Sequence, residues 1–202
     1  MLLAQALGAW RRYDRTPVAE LPVTEAMPRS TAEVLILTIN ALGAGILLFV
    51  AGVVQKIMDD MDVLAFKRFA KSLGHAAMTN AFAVTIATLP IIAAVAYFAA
   101  YGFSQWWFTA GFVAWIIGSS ITKIGNMPVY KWIADPHNTD PEELRRQRRR
   151  LGVANNWRAW ITLASVILMA CQFSVLDAMI VVAASAACAA PLLWLARRYI
   201  PG

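Results

Sequence analysis

Charge is what this chain has least of. Asp, Glu, Lys and Arg make up 15% of its 202 residues, against about 25% in soluble domains, and they stand in blocks between apolar runs rather than scattered along the chain. A soluble surface is excluded by that distribution. Histidine and cysteine are scarcer still, two of each. His75 and His137 are too few to build a transition-metal site, which wants several His, Cys or carboxylate ligands, so neither a metal nor another cofactor is expected. Cys171 and Cys188 lie in apolar runs without CxxC spacing and read as small buried hydrophobes. No Ser-His-Asp constellation, HExxH, P-loop or dinucleotide fingerprint is present, and no repeat or low-complexity tract.

What fills the chain instead is apolar sequence, 59% of all residues. About 20 such residues at 1.5 Å each cross a bilayer core. Residues 34–54, "VLILTINALGAGILLFVAGVV", form a first span, 76–100 a second and 106–122 a third, with the short uncharged "YGFSQ" at 101–105 as the tight turn between the last two. From Trp160 to Ala196 there is no Lys or Arg. One helix of that length would reach about 55 Å, so the chain must fold back at "QFSVLD", 172–177, giving a fourth and a fifth span. The fold class is all-α, an integral membrane helical bundle. Gly45 and Gly52, seven apart on the first span with Ala41 and Ala44 nearby, are expected to allow close helix contact.

The formal net charge of +6 comes without any nucleic-acid-binding motif, and no nucleic-acid partner is expected. Topology accounts for it. With five spans, Arg11, Arg12, Arg15 and Arg29 fall on one side and the other 14 of the 18 Lys and Arg residues on the opposite side. The positive-inside rule then places the N-terminus outside and the C-terminus in the cytoplasm of a bacterial-type inner membrane. Residues 1–33 become an extracytoplasmic arm. Its apolar start, "MLLAQALGA", has no basic stretch before it, so it reads as a segment lying on the membrane with Trp10 and Tyr13 at the headgroups rather than as a signal peptide. In the cytoplasmic loop 123–157, "NTDPEELRRQRRR" starts a helix: Asp140 as cap, Pro141 in the first position, Glu143 three residues after the cap. Nothing breaks it before Gly152. It should continue into the fourth span as a stem projecting from the membrane, its five arginines solvated or facing anionic lipid.

Polar residues within spans are costly and face the bundle interior. Gln55, His75, Asn80, Lys123, Asn126, Asn155 and Arg158 all fall near the cytoplasmic end. Pro128 disfavours helical geometry at Met127, so the third span should end near Asn126. Its last carbonyls then need donors, which Arg158 or Lys131 would supply while the Asn126 amide ties two helices together. A hydrogen-bond network at a helix end and a functional cavity are both open at this point.

Four segments carry a resemblance: "GAGILLFVAG" in the first span, an Asn early in the second, "NMPVYKWIADP" after the third and "NNWRAWITLASVILM" opening the fourth. Together, over roughly residues 34–172, they resemble the anthrone-oxygenase-like family of small membrane proteins, with a four-helix core. The family's Asn-x-Pro, Asp-Pro and Asn-x-x-Arg motifs correspond here to Asn126 and Pro128, Asp135 and Pro136, and Asn155 and Arg158. The chain departs from the pattern in having Asn156 where a His often follows the Asn, a fifth apolar segment at 173–202, and the N-terminal arm.

The resemblance implies oxidation of an anthrone at its activated methylene carbon. A phenolic substrate of that kind reacts with oxygen through its own carbanion, so the site needs chiefly a base and oxyanion donors. His75 would be the base, Asn126, Asn155 and Arg158 would bind the enolate, and Asn80 and Lys123 would join Asn155 in completing the binding site. The competing expectation is a non-catalytic accessory subunit of a larger membrane complex, meeting lipid and other membrane proteins through the arm, the arginine-rich stem or the fifth helix. A transporter lacks a carboxylate near mid-depth and an inverted repeat.

Overall fold

The structure, a computed structural model, describes residues 28–199. The interfacial reading of the N-terminal arm, with Trp10 and Tyr13, lies outside the described residues. Six helices and no strand occur within them, an all-α bundle. Helix α1 runs Arg29–Asp60, α2 Val63–Thr79, α3 Ala81–Tyr101, α4 Trp106–Ala134, α5 Pro141–Ala170 and α6 Val175–Tyr199. Three of them, α1, α3 and α4, are long and apolar enough to cross a membrane, and Val175–Ala189 of α6 is a shorter apolar stretch.

Local chemistry sets the helix starts. Asp62 opens α2 by accepting from the N–H groups of Leu64 and Ala65, both at 2.9 Å. Asn80 opens α3 by accepting from Ala83 N–H at 3.1 Å, and Asp140 opens α5 by accepting from Glu142 N–H. Such caps satisfy donors that a helix start leaves free. The cap at Asn80 corrects the second span: residues 76–79 belong to α2, and the long apolar helix begins at Ala81. Glu143 does not reach back to the start of α5; it accepts from Gln147 Nε2 instead. Gly102, at φ +67°, turns α3 into α4. The reversal before α6 falls at 171–174, where Ser174 Oγ accepts from Asp177 N–H.

Helix α5, about 45 Å long, is the axis of the molecule. Helices α1 and α4 pack along it, α3 lies on α1, and α6 meets little besides α5. The closest approach is between α4 and α5. A Cβ at Gly111 would stand 2.6 Å from Met169 Cγ, and one at Gly118 2.9 Å from Thr162 Oγ1; at Gly125 the nearest atom is Ala154 Cβ, at 3.1 Å. Three glycines spaced by seven therefore make the tight seam. Gly45 and Gly52, expected to do so, have nothing within 4 Å of that position.

Two further expectations are corrected. Helix α4 does not end at Asn126. It widens into a π-helical turn at Thr122–Asn126, where Met127 N–H donates to Thr122 O, and continues through Pro128 to Ala134. A wide turn is where a helix absorbs a residue that cannot donate. Nor does the start of α5 project alone. It is packed into a headpiece with the end of α1, with α2 and with the end of α4, around Met58, Phe66, Ala70, Val129, Ile133 and Leu151. Arg148 lies over the Phe66 ring, 4.7 Å from its centre, and donates to Asp59 O at 2.9 Å. Lys67 donates to the carbonyls of Asp135 and Asn138, both at 2.8 Å, and so fastens the α4–α5 loop to α2.

Candidate functional site

Where the headpiece meets the apolar bundle, two π-helical turns face the same residue of α5. In α1 the turn is Val50–Val54, followed by Gln55; in α4 it is Thr122–Asn126. Asn155 joins them. Its Oδ1 accepts from Asn126 Nδ2 at 2.9 Å, its Nδ2 donates to Gln55 Oε1 at 3.2 Å, and Gln55 Nε2 donates onward to Asp59 at 2.9 Å. Asn126 and Asn155 are each 1% exposed, so every amide group left unpaired there carries a desolvation cost. One is: Asn126 Oδ1 has no partner among the described residues. Small residues make the approach possible, since a Cβ at Gly152 would meet Gln55 Nε2 at 3.0 Å. Nearer the other end of the bundle, Asn40 donates to Ser165 Oγ at 2.8 Å and Met169 Sδ at 3.5 Å, tying α1 to α5 once more.

A second polar group lies one turn along α5. The half-buried Arg158 donates from a terminal guanidinium nitrogen to Thr122 Oγ1 at 3.0 Å, while its buried Nε has no partner among the described residues. Tyr130 stands about two turns beyond Thr122 on α4. The Tyr130 ring lies on α2 at Gly74, where a Cβ would come within 3.0 Å of it.

Of the residues singled out from sequence, Asn126 and Asn155 are thus in contact, and Arg158 bonds to Thr122, not to a helix-end carbonyl. His75 is exposed on α2 and makes no side-chain hydrogen bond among the described residues. Asn80 is exposed and occupied as a cap. Lys123 is exposed. Among the described residues no three His, Cys, Asp or Glu side chains are grouped as a metal would need.

Sequence reasoning missed a charged cluster at the opposite end. Glu33, 5% exposed, accepts from Tyr97 Oη at 2.5 Å and from Arg29 Nε at 3.1 Å, and Arg29 also donates to Ser104 Oγ at 3.1 Å. Phe108 and Met169 pack beside it. The signal available was an Arg and a Glu four apart just before an apolar run.

An apolar concavity lies elsewhere. It is an open apolar groove of about 660 Å³ between α5 and α6, lined by Trp160, Leu163, Ile167, Phe173 and Val181 with Asp177 near the turn. None of the six residues selected from sequence lines it. No protein-family model, curated protein or solved structure matches the chain.

Proposed function

We propose that the chain is an integral membrane protein whose bundle is a non-catalytic, structural subunit of a membrane assembly. The headpiece lies on the cytoplasmic side of a bacterial inner membrane, and the end carrying Arg29 and Ser104 lies outside. The hydrogen-bonded chain Asn126–Asn155–Gln55 carries the reading. These buried amides face one another across three helices, so their chemistry is used to hold helices together. The base that an oxygenase would need, His75, is on an exposed face and is bonded to none of them. Leu42, Ile92, Val95, Ile116 and Val181 stand exposed on four of the long helices, an apolar surface suited to lipid or to other membrane helices.

A second reading, binding and oxidation of a small aromatic molecule, is favoured by the groove beside Trp160 and Phe173, whose size suits such a ligand. The two are separated by measuring oxygen uptake by the purified, reconstituted protein with an anthrone as substrate. For a structural subunit, uptake equals that of protein-free vesicles. In native membranes solubilised in mild detergent, the protein then migrates in a larger complex of fixed stoichiometry. Oxygen uptake that Asn126→Ala or Arg158→Gln abolishes without unfolding the protein would establish the oxygenase reading instead.

A further inference from the structure

Arg158, like Arg148, has no anion partner among the described residues and keeps a buried guanidinium nitrogen without an acceptor there. The ion pairs among the described residues are Arg29–Glu33, Arg145–Glu142 and Arg146–Glu143, with His137 Nδ1 beside Asp135, and none involves it. Its single side-chain hydrogen bond goes to the neutral hydroxyl of Thr122, and its Nε is buried with no acceptor. A guanidinium withdrawn from water at the edge of an apolar bundle is costly unless a counter-charge completes it.

The surroundings supply what such a counter-ion would meet. Tyr130, about two turns along α4 from Thr122, has a phenol that makes no hydrogen bond within the described residues. Gly74 lets the ring lie against α2. Among the described residues no carboxylate bonds to Arg158 or Thr122. Lys123, adjacent to Thr122, is exposed and adds positive charge at the same level. By the charge reading this edge is the cytoplasmic interface, where lipid phosphates lie.

We infer that Arg158, Tyr130 and Thr122 form a binding site for a phosphate oxyanion, held by the guanidinium and the phenol at the headpiece–bundle junction. Its source is the headgroup of an anionic phospholipid or free phosphate. Arg suits the task because its fork of donors matches two phosphate oxygens. The lipid source rests on the membrane reading above; the oxyanion chemistry does not.

The full chain is purified in mild detergent and titrated with phosphatidylglycerol, phosphatidylcholine or inorganic phosphate, with retained lipid read by native mass spectrometry and the unfolding temperature followed in parallel. Phosphatidylglycerol is expected to be retained over phosphatidylcholine and to raise the unfolding temperature. If free phosphate is the ligand, it raises that temperature by itself. Tyr130→Phe, which removes only a hydroxyl without a hydrogen-bond partner among the described residues, is expected to weaken retention about tenfold, the size of one hydrogen bond to a charged group. Arg158→Gln should abolish it, and Arg149→Gln, an equal loss of charge on the exposed face of α5, should leave it within about twofold, as a rim charge would. The inference fails if neither lipid nor phosphate shows a preference, or if the preference survives in Arg158→Gln, or if Arg149→Gln lowers it as much as Arg158→Gln does. Oxygen uptake plays no part in these readouts, so they stand or fall apart from the question of catalysis.

Discussion

Asn155 shows how much one amide does in this bundle: its oxygen accepts from α4 and its nitrogen donates to α1. Interhelical hydrogen bonds in membranes average about 0.6 kcal/mol and reach about 1.7. Asn155→Ala breaks two and leaves both partners buried, so a loss of about 1–3 kcal/mol is expected in a reversible unfolding titration in mixed micelles. Glycine gives a sharper contrast. Gly111→Ala must push into Met169 and the Ser165 carbonyl, which would lie 2.6 and 2.8 Å from the new Cβ, and overpacking of this kind costs about 1–3 kcal/mol. Gly45→Ala meets nothing within 4 Å and is expected to be neutral or to stabilise by about 0.5–1 kcal/mol through helix propensity. A ranking with Gly45→Ala the more damaging would refute the placement of the seam on α4. Sequence reading went wrong here for a definite reason. Seven-residue spacing occurs on α1 and on α4 alike, and only the partner's side chains decide which stripe meets another helix.

At the scale of the helix, what could be read in the sequence was what is local. Asp140 followed by Pro141, the turn at 101–105 and the reversal after Ala170 depend on neighbours a few residues away. The π-helical turns at Val50–Val54 and Thr122–Asn126 do not. Both stand where an amide must be turned toward Asn155, a demand no local pattern states, and so Pro128 read as the end of a helix that in fact runs on. The docking of α5 escaped notice similarly, because Arg148 looks like any member of an arginine run until Phe66 is brought beneath it. Helix α2 offers a pH test. The capping N–H groups, Ala65 first and Leu64 after desolvation has opposed them, hold the Asp62 carboxyl below its ordinary value of 3.8. Its folded-state pKa is depressed, so the ionised cap contributes stability above 3.8 and loses it as pH falls through the lower, folded-state value. Wild type should therefore lose protection of the Leu64 and Ala65 amides in hydrogen exchange as acid is added across that window. Asp62→Asn, which caps without titrating, should lose none there through this group.

The described residues divide into an apolar bundle and a positively charged headpiece, and the orientation proposed above can be tested on that division. The three long apolar helices α1, α3 and α4 bring Ser104 and Arg149 to opposite ends: Ser104 bonds to Arg29 at the start of α1, whereas Arg149 is in the arginine run beside the end of α1, where Arg148 meets Asp59. If the lysines and arginines follow the positive-inside rule, a thiol at 104 faces the outside and one at 149 the cytoplasm. Cys171 and Cys188 are the native thiols, so both are first changed to alanine. Ser104→Cys in intact cells should react with a membrane-impermeant maleimide, and Arg149→Cys should react only after the membrane is opened. The reverse pattern would invert the orientation while leaving the bundle intact. Equal reactivity of both in intact cells would mean that these helices do not separate two compartments, and the lipid source proposed for the oxyanion at Arg158 would fall with that result.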